Sequence, residues 1–160
     1  MKAFKFFILF VLFSSSFFQA FSQKIKSNMK YNIEIGKEAF YAWQKGEKTG
    51  DYTNFKTLLS KNFIKFSHPL IGNFKGDTAL FKIKDLIKER ESTKNNLDFS
   101  EIQISNNGNS VTFQFNSKGT VQNDKFPYEG FNIIVIQINE NKIIGFQEYF
   151  GFIDPNWFKN

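Results

Sequence analysis

The chain has 160 residues, 41% of them hydrophobic and 19% aromatic, with a formal net charge of +6 and no cysteine. The lack of cysteine excludes disulfides, a thiolate nucleophile, zinc–thiolate sites and the cysteine-linked lipid anchor of bacterial lipoproteins. Apart from Arg90, the basic residues are lysines scattered among acids, which is typical of a solvated surface and argues against a nucleic-acid partner.

The first 22 residues show the three regions of a secretory signal peptide. Two lysines precede an apolar run over residues 6–13, and Ala20 and Ser22 supply small residues before a cleavage point. A membrane anchor needs about 20 apolar residues, which this run does not reach. We therefore expect residues 1–22 to be removed and the protein to be secreted or periplasmic, without membrane attachment after cleavage.

The segment after the predicted signal peptide begins with helical patterns. Residues 23–30 are polar and lysine-rich, and we expect them to form a leader to a single domain over residues 31–160. Apolar residues close to helical spacing predict a helix over residues 31–48. Asp51 is a suitable N-cap for a short second helix over residues 52–60.

The only histidine of the chain follows a strand-like run. Residues 63–66 alternate in character and lead to the stretch His68-Pro69-Leu70-Ile71-Gly72. Proline disfavours the α conformation for the residue before it, so we expect His68 to be extended, at the mouth of a pocket. After Asp77, an apolar stripe predicts a third helix over residues 78–91.

The rest of the chain is strand-like. The predicted strands cover residues 97–105, 111–116, 128–138 and 142–152, with a hairpin turn of the Asn-Gly type at residues 106–109. The run from Ile133 to Ile136 is apolar on both faces and predicts a central strand covered on both sides. Helices followed by an antiparallel meander predict an α+β domain, with the helices packed on one face of a curved sheet.

Four segments in this order carry a family resemblance. They are Ala42–Glu47 at the end of the first helix, Leu58-Leu59-Ser60 before the first strand, the His-Pro-x-x-Gly-x-x-x-Gly stretch from His68, and Asn141–Phe150 followed by Asp154-Pro155. The ordered set resembles the nuclear transport factor 2-like superfamily and, within it, the SnoaL-like proteins. The resemblance implies a cone-shaped fold, in which three N-terminal helices pack in a curved, mostly antiparallel sheet around an apolar pocket.

The same resemblance implies a range of functions. The superfamily includes ketosteroid isomerases, polyketide cyclases, epoxide hydrolases, dehydratases and members that only bind or dimerise. In the ketosteroid isomerase branch, the position of His68 holds the general-base aspartate, and Ile134 stands nearest to the place of the second acid. The oxyanion-hole tyrosine of that branch has no secure counterpart around Phe40 and Tyr41.

The candidate site residues are polar groups and aromatics on the predicted pocket walls. His68 and Glu148 are the catalytic candidates, although strand register decides whether Glu148 points into the pocket or into water. The candidate pocket residues are Phe40, Trp43, Phe66, Tyr128, Asn132 and Tyr149. One histidine without paired carboxylates does not predict a metal site, and we expect no cofactor.

Three functions remain open from the sequence. The first is an exported domain whose pocket binds a small apolar molecule. The second is an isomerase, dehydratase or hydrolase with His68 as general base. The third is a non-catalytic module that forms a homodimer and whose pocket is plugged by phenylalanine side chains.

Overall fold

The computed structural model describes residues 30–151, which form an α+β domain with three helices and six strands. The helices are α1 over residues 30–49, α2 over Thr53–Leu58 and α3 over Asp77–Thr93. The strands are β1 (Lys65–His68), β2 (Gly72–Lys75), β3 (Asn96–Asn107), β4 (Ser110–Val121), β5 (Phe126–Asn139) and β6 (Lys142–Phe150). The predicted signal peptide, the leader up to residue 29 and Asp154-Pro155 lie outside the described residues.

The six strands form one mixed sheet in the order β2-β1-β6-β5-β4-β3. All neighbours are antiparallel except β1 and β6, which run parallel with Phe66 opposite Phe146. The sequence analysis missed β2, because this short edge strand carries one apolar side chain, Phe74, between two glycines. It also missed the parallel pair, since local patterning does not show which distant strands become neighbours.

The helices follow their apolar stripes. In α3, the buried residues include Ala79, Ile83, Leu86 and Ile87, at spacings of three and four. This helix comes after the β1–β2 hairpin, so the three helices do not form one N-terminal block ahead of the sheet. No helix within residues 30–151 combines the length and hydropathy needed to cross a bilayer.

The core is a layer of aromatic side chains between α1 and the sheet. Phe113 and Phe115 alternate with half-buried residues along β4 and point inward. Phe40 of α1 stacks on Phe113 with 4.2 Å between ring centroids, and Trp43 lies 4.5 Å from Phe146 by the same measure. Burying one such ring contributes about 1.5–3 kcal/mol to stability. This packing fixes the end of α1 against the middle of the sheet.

We expect the Gly46→Ala variant to be less stable than the wild type. Alanine inside a helix is normally favoured over glycine by roughly 0.5–1 kcal/mol. At position 46, however, an added Cβ would lie 2.3 Å from two ring carbons of the fully buried Tyr52. The resulting overpacking should lower the free energy of unfolding by about 1–3 kcal/mol, measured by urea denaturation.

The matched control is Glu38→Ala, at an exposed position of the same helix. Its free energy of unfolding should stay within about 0.5 kcal/mol of the wild type. A Gly46→Ala variant as stable as the wild type would contradict the packing of Tyr52 against α1.

Candidate functional site

A cavity of about 220 Å³ lies between α3 and the sheet. Its walls come from α1, α3, the β1–β2 turn and strands β3 to β6. The apolar lining includes Leu86, Leu97, Phe99, Phe115 and Phe150, and polar side chains from α1, α3 and strands β1, β4, β5 and β6 complete the walls. Mostly apolar walls with a few placed polar groups are typical of a small-molecule site, and this volume lies somewhat below the range of about 300–1,000 Å³ for drug-sized ligands.

Arg90 is the centre of the polar side of the cavity. It lies in the last turn of α3, one turn beyond Ile83 and Ile87 on the buried face of the helix. Its Nη1 donates to Glu47 Oε1, and its Nη2 donates to Glu148 Oε2 at 3.0 Å. Its Cζ also lies 4.9 Å from the ring centroid of Trp43, within the range of a cation–π contact.

Both carboxylates beside Arg90 are buried, and they compensate its charge. Burial alone would lower the pKa of Arg90, but the negative charges of Glu148 and Glu47 raise the pKa above its usual value. Arg90 is therefore charged at every physiological pH. A buried charge of this kind is tolerated because it is paired and hydrogen-bonded.

Glu47 is held by three donors. Besides Arg90, Tyr52 donates its hydroxyl to Oε1 at 2.8 Å, and Asn95 donates Nδ2 to Oε2 at 2.7 Å. These hydrogen bonds occupy both carboxylate oxygens of Glu47. Burial and the negative charge of Glu47 raise the pKa of Tyr52, which therefore stays a neutral donor. Glu47 and Arg90 thus form a balanced ion pair.

Glu148 faces the cavity from β6, opposite Ile134 of β5. Burial raises its pKa to about 7, against the lowering effect of Arg90 and with a further increase from Glu47. The buried indole N–H of Trp43 also lies near this carboxylate and lowers its pKa, although it falls outside standard hydrogen-bond geometry. The carboxyl group of Glu148 therefore changes charge close to neutral pH.

His68 ends β1 beside Glu148. Its Nδ1 accepts a hydrogen bond from the backbone N–H of Leu70 at 3.2 Å, so we assign the proton of the neutral ring to Nε2. Nε2 lies 3.6 Å from Glu148 Oε2 and 3.2 Å from Arg90 Nη2. Burial, followed by the positive charge of Arg90, lowers the pKa of His68 to about 3. The imidazole is therefore neutral at physiological pH.

A second polar group lies on strands β4 and β5. Tyr128 donates its hydroxyl to Asn132 Oδ1, and Asn132 Nδ2 donates to Ser117 Oγ and, at 3.1 Å, to the carbonyl of Gly130. Burial, with a further contribution from the negative charge of Glu148, raises the pKa of Tyr128 to about 12. Tyr128, Asn132 and Ser117 line the same cavity as Glu148.

The structure brings four of the candidate residues from the sequence to this cavity and places four elsewhere. His68, Tyr128, Asn132 and Glu148 are lining residues. The structure buries Phe40, Trp43 and Phe66 fully in the core, and they do not line the cavity. The ring of Trp43 nevertheless contacts the guanidinium of Arg90. Tyr149 is 45% exposed, because successive residues of β6 point to opposite faces of the sheet.

The sequence analysis missed Arg90 and Glu47 as site residues. Each continues an apolar stripe, at position 90 after Ile83 and Ile87 and at position 47 after Trp43. The sequence signal that could have identified both residues is therefore a charged residue on the buried face of a helix. Within the described part of the chain, no group of three or more histidine, aspartate or glutamate side chains has the arrangement of a metal site.

Comparison with protein-family models gave no match, and comparison with curated proteins gave none either. Solved structures do match. An NTF2-like protein from Anabaena variabilis shares 22% identity over 76% of this chain and 90% of its own, with a TM-score of 0.64. A protein with a ketosteroid isomerase-like fold from Catenulispora acidiphila, in complex with trimethylamine, shares 16% identity over 70% and 84%, with a TM-score of 0.53.

An epoxide hydrolase of the LEH-like type from M. tuberculosis also matches, with 13% identity over 70% of this chain and 79% of its own and a TM-score of 0.51. Each of these three matches covers at least 70% of this chain. Identities this low carry information on the fold and not on the activity. The chain has the nuclear transport factor 2-like fold that its sequence resembles.

Proposed function

We propose that this protein is a SnoaL-like binding domain, whose cavity holds a small, largely apolar molecule with one polar group directed at Glu148 and His68. The observation that carries this proposal is a cavity with aromatic and aliphatic walls and a polar cluster built around Arg90. Buried polar groups at one end of an apolar cavity fix the orientation of a ligand.

The size of the cavity favours a small ligand. At about 220 Å³, it is better matched to a single-ring compound than to a steroid. The structural neighbour from Catenulispora acidiphila holds trimethylamine, which is also a small molecule. Export and homodimer formation stay predictions from the sequence.

The open cavity also bears on the non-catalytic alternative. A plugged pocket was the sequence-based expectation for a module that only dimerises. Here, Phe99, Phe115 and Phe150 line the cavity without filling it. This arrangement supports ligand binding over a purely interaction-based role.

We expect benzyl alcohol, a neutral single-ring probe, to bind saturably and to be displaced when the cavity is filled. Thr93, in the last turn of α3, lines the cavity, so a Thr93→Trp side chain would occupy it. The affinity measured by NMR titration should fall at least about tenfold, which corresponds to about 1.4 kcal/mol. The tryptophan side chain would take the place of the ligand, whereas the aromatic core between α1 and the sheet would stay unchanged.

Ser92→Trp is the matched control, because Ser92 is the exposed neighbour of Thr93 and does not line the cavity. The affinity of Ser92→Trp for benzyl alcohol should stay within about twofold of the wild-type affinity, well below a tenfold change, which corresponds to about 1.4 kcal/mol. Equal loss in both variants, or no saturable binding to the wild type, would contradict the proposed function.

Acid–base catalysis is the second candidate function, and Glu148 is the observation that favours it. A general base or acid works best with a pKa near the operating pH, which Glu148 meets at about 7. His68 does not meet it, because its pKa of about 3 leaves the imidazole a weak base. In this alternative, Glu148 would exchange the proton with the ligand, and the Nε2–H of His68 would orient the reacting group.

The pH dependence of stability tests the titration of Glu148. Its pKa rises from a usual value of 4.5 to about 7 on folding, so the folded state holds this proton more tightly. The stabilisation is complete below pH 4.5 and is lost as the pH rises through 7. We therefore expect the Tm of the wild type to rise from pH 8 to pH 6.5 relative to that of Glu148→Gln.

The groups that face Glu148 are Glu47, His68, Arg90, Tyr52 and Tyr128, and none of those with a shifted pKa titrates between pH 6.5 and 8. His68 acts in the opposite direction and only at lower pH, since its lowered pKa removes stability as the pH falls from 6.5 towards 3. The His68→Asn variant is the control and should keep the rise. Parallel Tm profiles for the wild type and Glu148→Gln would refute a neutral-range titration of Glu148.

A further inference from the structure

The cavity is acidic in a basic protein. The whole chain has 21 lysine and arginine residues against 15 aspartate and glutamate residues. Among the described residues that line the cavity, by contrast, three are glutamates, one is an arginine and none is a lysine. His68 adds no charge, because its pKa is lowered to about 3. With its carboxylates ionised, the cavity therefore favours a positively charged occupant.

The three glutamates differ in what they can still accept. Glu47 already receives hydrogen bonds from Arg90, Tyr52 and Asn95. Glu148 receives one from Arg90 and has the Trp43 indole nearby, whereas a carboxylate has about four lone-pair sites. Because Arg90 balances Glu47, the ionised form of Glu148 is the uncompensated negative charge of the buried cluster.

The remaining walls suit an ammonium group with a hydrocarbon part. Phe99, Phe115, Phe150 and Tyr128 surround the cavity with aromatic rings, and Tyr128 and Phe150 pack with 6.2 Å between their centroids. Cations are attracted to the faces of such rings, more strongly where water is excluded. Glu89, at the exposed end of the cavity, adds a second carboxylate along the entrance.

We propose that the natural occupant of this cavity is a small organic amine, bound as its ammonium ion against Glu148 with its hydrocarbon part between the aromatic walls. The inference rests on the proposed function, because it names the chemical class of ligand for the same site. The guanidinium of Arg90 holds Glu148 in position through its hydrogen bond to Oε2.

Three probes of nearly equal shape and different charge test this proposal: benzylamine, benzyl alcohol and benzoate. At pH 8 the ammonium group of benzylamine stays protonated and Glu148 is mostly ionised. NMR titration of the wild type should show benzylamine binding at least about tenfold more tightly than benzyl alcohol, and benzoate more weakly than both. Equal affinities for the amine and the alcohol would overturn the proposal and leave the proposed function intact.

The Glu148→Gln variant tests whether Glu148 is responsible for the amine preference, because it keeps the shape of the side chain and removes its charge. In this variant the benzylamine affinity should fall at least about tenfold, and the preference for benzylamine over benzyl alcohol, both measured on the same variant, should be lost. Glu129→Gln is the matched control, since Glu129 is exposed, pairs with Lys118 and does not line the cavity. A Glu148→Gln variant that still prefers the amine would overturn the proposal. If this variant does not fold, the comparison of the three probes on the wild type tests the proposal independently.

Acidification provides a second readout. Between pH 8 and pH 6 Glu148 takes up a proton, so the affinity for benzylamine should fall while that for benzyl alcohol stays constant. The other groups facing Glu148 are Glu47 of α1, His68 of β1, Arg90 of α3, Tyr128 of β5 and Tyr52. An amine affinity independent of pH would overturn the proposal. Failure of benzyl alcohol and benzylamine alike to bind would overturn the proposed function itself, and this inference with it.

Discussion

One buried guanidinium organises the polar part of this domain. Arg90 is buried beside the cavity, where an isolated charge is strongly unfavourable, and two carboxylates from α1 and β6 compensate it. These contacts join the end of the first helix, the end of the third helix and the last strand. All three residues line the cavity, so the electrostatic environment of any ligand depends on how Arg90 shares its charge with the two carboxylates.

Glu47 and Glu148 both accept a hydrogen bond from Arg90, but they differ in their other hydrogen bonds, and this difference distinguishes the two carboxylates chemically. Glu47 accepts additional hydrogen bonds from Tyr52 and Asn95. Glu148 has fewer donors and is fully buried, so its pKa lies near neutrality. Burial, together with the positive charge of Arg90, lowers the pKa of His68 to about 3 and keeps the imidazole neutral. Near neutral pH, the group of this pair that titrates is therefore the carboxyl group of Glu148 and not the imidazole of His68.

Much of the fold could be predicted from local patterns. The helices and the four long strands follow periodicities of 3.6 and 2 residues, and the predicted hairpin forms between β3 and β4, although its two turn residues are Gly108-Asn109 and not the predicted Asn-Gly pair. Edge strand β2 and the parallel β1–β6 pair could not be predicted, because their stability comes from partners far away in the chain. Pairing of this kind leaves no local signal.

The candidate site was only partly predictable for the same reason. Glu148 and Tyr149 are neighbours in one strand, and only the register of β6 against β5 decides that the glutamate faces the cavity. Arg90 and Glu47 are separated by most of two helices and a hairpin, so no spacing rule joins them. Their positions on apolar helix faces were the one local sign that they are buried together.

The most direct test of this account is a double-mutant cycle on Arg90 and Glu47, measured by urea denaturation. Arg90→Met should lower the free energy of unfolding by about 3–5 kcal/mol, because it leaves two buried carboxylates without their positively charged partner. Adding Glu47→Gln to Arg90→Met should recover part of this loss, since one of those charges is removed. An Arg90→Met variant within about 0.5 kcal/mol of the wild type would contradict the central role of this guanidinium.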